Sequence, residues 1–215
     1  MQRLFSHYNF KRMSKKTVLI ELPYLPSISW FSLVASYENV LLDIHAHYEK
    51  GSYRNRCKIL GPNGVLMLTV PLQHGKHQHK PLHEVLISNT EPWQKIHWMT
   101  LCSCYRRSPY FEYFEDLFQP VYHKKWESII ELNYQLLQII LEYIKVSAKF
   151  TFTENYIPAS DESIDDKRNY LKPGKVYAPL IEKVENYTQV FSDRFEFQKD
   201  LSIFDLLCNK GKYKF

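Results

Sequence analysis

Two arginines one residue apart, in the run Ser52-Tyr53-Arg54-Asn55-Arg56-Cys57-Lys58-Ile59, are the side chains best placed to do chemistry. On an extended segment, side chains two apart share a face. Arg54 and Arg56 can then grip one carboxylate or phosphate together, with the Asn55 amide beside them. The nearest acid in the local sequence is Glu49, so no partner close in sequence neutralises the pair. The competing reading is a charged edge strand with solvated guanidinium groups.

Asp43, His45 and His47 close a run, Val40-Leu41-Leu42-Asp43-Ile44-His45, that is aliphatic at its start and polar at its end. A parallel strand whose carboxyl end opens into a crevice has this pattern, and ligands bind at such ends in open α/β sheets. Asp43 or a nearby histidine can there act as a general base. The alternative is that Asp43 caps a backbone turn. Trp93 and His97 lie one helical turn apart, with Tyr105 two turns farther on the same face, which reads either as part of a pocket or as a core aromatic stripe with a satisfied histidine.

His74, His77, His79 and His83 fall within ten residues, beside Lys76 and Lys80. Imidazoles at this spacing can bind zinc or nickel, but lysines among them repel a divalent cation, and a polar surface loop is the simpler reading. Asn133 interrupts an apolar helical stripe. Its amide needs partners, since an unpaired one buried there costs on the order of 1–3 kcal/mol. There is no phosphate-cradling glycine loop, GxSxG elbow, HExxH or dinucleotide fingerprint, and no cofactor follows from the sequence.

The elements that must position these groups are legible from patterning. Thr17–Leu22 reads as a buried strand stopped by Pro23, followed by a helix from about Trp30 to Tyr37 capped by Ser27 or Ser29. Asn63-Gly64 marks a hairpin between Cys57–Leu60 and Val65–Leu72, and Glu84–Ser88 reads as a further strand. Pro92–Arg107, Tyr110–His123 and Ser128–Val146 carry apolar residues three and four apart, as helices do. Residues 158–174 read as a long polar loop with almost nothing to bury, Tyr187–Phe191 as another strand, and Ser202-Ile203-Phe204-Asp205 as the capped start of a helix that Gly211 ends.

The 215 residues are 45% apolar and 15% aromatic, enough for a substantial core. No stretch approaches the roughly 20 apolar residues of a membrane span. The four cysteines form no CxxC pair, which fits reduced thiols. The net charge of +5 sits in residues 1–16, which hold five bases and no acid. The body is neutral, which argues against a nucleic-acid binder. The basic segment has no apolar core after it, so it does not read as a secretory signal, and residues 1–16 are expected to be a disordered tail.

Leu22-Pro23-Tyr24-Leu25-Pro26 with Trp30, the Arg54-Asn55-Arg56 triplet, Leu68-Thr69-Val70-Pro71, Trp93 with His97, Tyr105 through Ser108-Pro109-Tyr110-Phe111, Asn133, and Leu201–Leu207 with Asn209 and Gly211 occur in an order and spacing that resemble the WbqC-like protein family. The resemblance covers nearly all of the chain from Thr17. Two departures are Leu22 where members often have Gln before the proline, and Cys208 in place of an aromatic. The resemblance implies a bacterial, cytoplasmic accessory enzyme of surface-polysaccharide (O-antigen) biosynthesis, one transferring an acyl or aminoacyl group to an amino sugar. It supplies no established catalytic residues.

These readings combine into a mixed α/β fold: a Rossmann-like strand-helix-strand unit, a β-hairpin, and a helical half, in one domain over 17–215. The expected function is a transferase acting on an anionic small molecule, with a non-catalytic binding or scaffolding protein as the alternative. Arg54, Asn55 and Arg56 are assigned to the anion and Asp43 or His97 to proton transfer. Pro23, Tyr24 and Trp30 form the pocket wall, and His45, Trp93, Tyr105 and Asn133 complete the site.

Overall fold

The computed structural model describes residues 16–74, 80–159, 161, 163–175 and 177–215. The basic tail falls almost wholly in residues 1–15 and, like His77 and His79, lies outside the described residues.

The chain begins with the strand its β-branched and aliphatic residues demand: β1 (Thr17–Glu21) is buried at four of five positions. Ser27 caps α1 (Ile28–Val34), its Oγ accepting from the Trp30 N–H. β2 (Asn39–Asp43) then returns parallel to β1, in a register that sets Glu21 opposite Asp43. The strand-helix-strand unit is thus present, with the helix starting two residues earlier than its pattern predicts because Ser27 is the cap.

The fold is mixed α/β, with a four-stranded parallel sheet ordered β6-β2-β1-β7, where β6 is Lys149–Phe152 and β7 is Asp165–Asp166. The four carboxyl ends therefore share one edge. β3 (Arg56–Gly61) and β4 (Gly64–Thr69) form an antiparallel hairpin, turning where Gly64 takes φ +111°. The helical half comprises α2 (Trp93–Tyr105), α3 (Phe111–His123) and α4 (Ile129–Tyr143), within two or three residues of the predicted boundaries. A four-residue helix, α5 (Ala178–Ile181), precedes α6 (Ile203–Lys210), whose cap is Ser202 and whose end is Gly211 in a positive-φ conformation. A short parallel pair, β5 (Ile144–Lys145) with β8 (Tyr213–Lys214), ties the end of α4 to the C-terminal residues.

Four expectations are corrected. Tyr53–Asn55 is a single turn of 3-10 helix, so Arg54 and Arg56 do not sit on one extended strand; Ser52 Oγ caps that turn. Residues 82–84 form another 3-10 turn, and Leu86 and Ile87 make only isolated bridges. Tyr187–Phe191 is irregular because Tyr187 and Gln189 turn their polar groups onto Asp205 instead of a ladder. The polar stretch 158–174 contains β7 and adds to the edge of the sheet.

Asp205 is fully buried in α6 and accepts from the Tyr187 hydroxyl (2.5 Å) and Gln189 Nε2 (3.1 Å). Burial pushes its carboxyl up to about 6 against those bonds, from about 4 in an unfolded chain. The folded state therefore retains a proton that the unfolded state releases, so this residue's contribution to stability grows as pH falls from 7 toward 4. Relative to Asp205→Asn, the wild-type chain should gain about 1 kcal/mol between pH 7 and pH 5 in urea unfolding. A flat difference would contradict this assignment.

Candidate functional site at the carboxyl edge of the sheet

Hydrogen bonds converge where β1, β2 and β7 end. Glu21 is 3% exposed and its Oε2 accepts from the Asn169 backbone N–H at 3.0 Å. Burial raises the carboxyl above its ordinary value, and the Arg54 guanidinium nearby draws it back down. Arg54 is 1% exposed, its Nη1 donating to Asn169 Oδ1 at 2.7 Å, while its Nε has no partner among the described residues. A guanidinium so far from water with a donor unspent is uncommon, since buried polar groups are nearly always paired.

The turn that carries Arg54 is clamped from behind. Asn133 Nδ2, on α4, donates to the carbonyls of both Leu22 (3.1 Å) and Arg54 (2.8 Å), joining the segment after β1 to the arginine turn. Asn55 donates to the Val70 carbonyl and accepts from the Tyr48 hydroxyl. Trp30 Nε1 donates to the Glu21 carbonyl. Asn133→Ala removes two donors and leaves two carbonyls short of a partner, so it should cost on the order of 2–3 kcal/mol in chemical unfolding. A loss below about 0.5 kcal/mol would mean water replaces the amide.

Asp43 is 1% exposed and fully engaged: Oδ1 accepts from the backbone N–H groups of His45 (2.8 Å) and Ala46 (3.0 Å), and Oδ2 from Arg168 Nη1 (2.9 Å). It caps a turn and anchors a cation at once. Arg168 also binds Asp166 through Nε (3.0 Å) and Nη2 (2.5 Å). Burial pushes the Asp166 carboxyl up, but the Arg168 hydrogen bonds outweigh it and hold it below the usual range. His45 lies at the rim, its Nε2 3.2 Å from the Thr153 carbonyl and its ring 4.9 Å from that of His83.

Arg56 is half-buried at the start of β3, with its Nε also unpartnered among the described residues. Tyr48 lies within electrostatic reach of both arginines: burial raises its phenol, and Arg56 and then Arg54 oppose the rise. The structure therefore gathers Asp43, His45, Arg54, Asn55 and Arg56, backed by Trp30 and Asn133.

His97 belongs to another network. Its Nδ1 is 2.9 Å from the Tyr24 hydroxyl, which is 2.8 Å from that of Tyr122. Burial pushes the imidazole down to about 4, with a Thr69 backbone hydrogen bond opposing, so it is neutral near pH 7. Trp93 packs edge-on against it, and Tyr105 accepts from the Leu60 N–H. Pro23 is buried and precedes Tyr24 directly. Among the described residues, His97, Trp93 and Tyr105 share no hydrogen bond or ring contact with Arg54. Among the described residues no three His, Cys, Asp or Glu side chains are arranged to hold a metal ion, and no helix is long and apolar enough to cross a membrane.

Sequence reasoning passed over Glu21, Asp166, Arg168 and Asn169. An acid ending a buried strand just before Pro23 was a usable signal for Glu21. Opposite charges two apart in Asp166-Lys167-Arg168 were a fainter one, hidden in a segment with nothing apolar to mark it.

The fold and site define a mixed α/β protein with a buried, ion-paired cluster at the carboxyl edge of a parallel sheet. The chain belongs to the WbqC-like protein family, whose profile matches residues 23–172. It is 29% identical over 143 residues to a protein of Mycobacterium tuberculosis named Uncharacterized protein Rv1507c, a match covering 66% of this chain and 62% of that relative. The chain thus spans less than two thirds of that relative's length. No solved structure matches it.

Proposed function

We propose that this chain is a cytoplasmic group-transfer enzyme whose anionic small-molecule substrate binds against Arg54, with Arg56 at the rim and Glu21 exchanging the acceptor's proton. The observation that carries the reading is Arg54 itself: a guanidinium 1% exposed, with Nε unpartnered among the described residues, beside a buried carboxylate raised above its ordinary value. A buried carboxyl raised above its ordinary value suits general acid–base work, and perturbed groups cluster at functional sites. Asp43, with both oxygens engaged, is better suited to hold the crevice than to move a proton, and His97 faces Tyr24. The family resemblance supports a substrate in bacterial surface-polysaccharide synthesis and acyl or aminoacyl transfer to an amino sugar; it is an analogy of family, not of geometry.

A thermal-shift screen with nucleotide sugars, acyl thioesters and aminoacyl donors tests this, because a ligand that binds only the folded form raises its melting temperature. At least one class should stabilise the wild-type protein and leave Arg54→Gln unmoved. A binding or scaffolding role is favoured by the exposed run Val65, Leu66 and Met67 on β4. That reading gains if nothing in the screen acts through Arg54.

A further inference from the structure

Asn169 meets both members of the buried pair at once. Its side-chain oxygen accepts from Arg54 and its backbone N–H donates to Glu21. One residue thus offers an oxygen to the cation and an N–H to the anion, with the connectivity N–Cα–Cβ–Cγ–Oδ1 between them. Asn169 holds this pose in the left-handed backbone region, at φ +58°, and Gly174 at φ +84° follows five residues on.

The surrounding charge limits how much negative charge a guest can bring. Arg168 is paired with Asp43 and Asp166, and Lys172 with Glu49 at 2.5 Å. That leaves Arg54 and Arg56, neither in an ion pair among the described residues, with Arg54 beside Glu21 and both arginines near Tyr48. Counted together, Arg54, Arg56, Arg168 and Lys172 balance Glu21, Asp43, Asp166 and Glu49, so the cluster is neutral before a guest enters. A pyrophosphate would bring several negative charges into this buried, already balanced cluster, where a carboxylate brings one.

Building on the reading of the Arg54 crevice as a ligand site, we infer that Asn169 stands where the ligand binds, and that the ligand is a 3-amido or 3-amino carboxylate, in which the same number of bonds separates the N–H from the anionic oxygen. Binding replaces the neutral amide oxygen on Arg54 with a charged one, which makes the stronger hydrogen bond. Residues 169–175 turn outward as Asn169 leaves, while Arg168 stays on its two carboxylates.

The test is calorimetric titration of the full chain with N-acetyl-β-alanine, N-acetylglycine, propanoate and inorganic pyrophosphate. N-Acetyl-β-alanine should bind best, with N-acetylglycine weaker because it is one bond short and propanoate weaker because it lacks the N–H. Asn169→Gly keeps the left-handed backbone without the competing side chain, so it should tighten N-acetyl-β-alanine binding about tenfold. Glu21→Gln should remove the advantage over propanoate. Weaker N-acetyl-β-alanine binding by Asn169→Gly overturns the inference. So does Arg54-dependent binding of pyrophosphate but not of N-acetyl-β-alanine, which leaves the anion site itself standing. If no probe binds in a manner sensitive to Arg54→Gln, both readings fail.

Discussion

Arg168→Ala is expected to lower the unfolding free energy by about 3–5 kcal/mol, the usual cost of stranding a buried charge by removing its partner. Arg168 side-chain exposure is 9% and that of Asp43 is 1%, so water cannot take over the lost bonds. The deletion leaves Asp43 with its two backbone donors only, and frees Asp166 and with it β7, which has just two residues of pairing to β1. Arg168→Lys should recover less than half of the loss, because one ammonium cannot reproduce a guanidinium that spans two carboxylates. The exposed Arg106–Glu115 pair is the control: Arg106→Ala should cost under about 1 kcal/mol. Urea unfolding of the three variants measures all of this. Equal, small losses for Arg168→Ala and Arg106→Ala would show that the edge of the sheet does not depend on the central ion pair.

Arg54→Gln should weaken the anionic ligand at least about a hundredfold, since two or more charge-assisted hydrogen bonds, at roughly 1.5–3 kcal/mol each, go with the guanidinium. Glutamine keeps a donor and much of the length, so the turn held by Asn133 and Ser52 survives. Arg54→Lys should also bind poorly, as a point charge on a thinner stem. Titration calorimetry on protein whose melting temperature is within a few degrees of wild type separates lost binding from lost fold. An affinity that falls less than threefold in Arg54→Gln would move the site elsewhere.

Much of the frame was readable because it rests on strong local signals. β1 and β2 are dense in Val, Leu and Ile, Ser27, Ser128 and Ser202 cap their helices, and Asn63-Gly64 turns the hairpin. Arg54, Asn55, Asp43 and Asn133 were readable as odd residues: charges or amides where apolar ones were expected. What escaped depends on long-range pairing. Glu21 meets Asn169 across 148 residues and Asp43 meets Arg168 across 125, and no local pattern announces either. Two hydrogen-bonded residues suffice for β7, so its propensity, Asp-Asp, points away from a strand; only the open edge of β1 and the carbonyl of Leu19, which accepts from Lys167, make it one. The Arg54–Arg56 geometry was misjudged for the opposite reason, a local one: Ser52 starts a 3-10 turn that a period-of-two reading overlooks.

A crystal structure of the full chain with the tightest binder from the ligand screen tests most directly whether the carboxyl edge of the sheet is where the molecule works. The expected result is an anionic oxygen within hydrogen-bond reach, about 3 Å, of the Arg54 guanidinium, with Asn169 displaced from it. The contradicting result is a ligand lodged instead in the groove between α2 and α3, against Lys95, Trp98, Met99, His123 and Lys125, while Arg54 still holds Asn169.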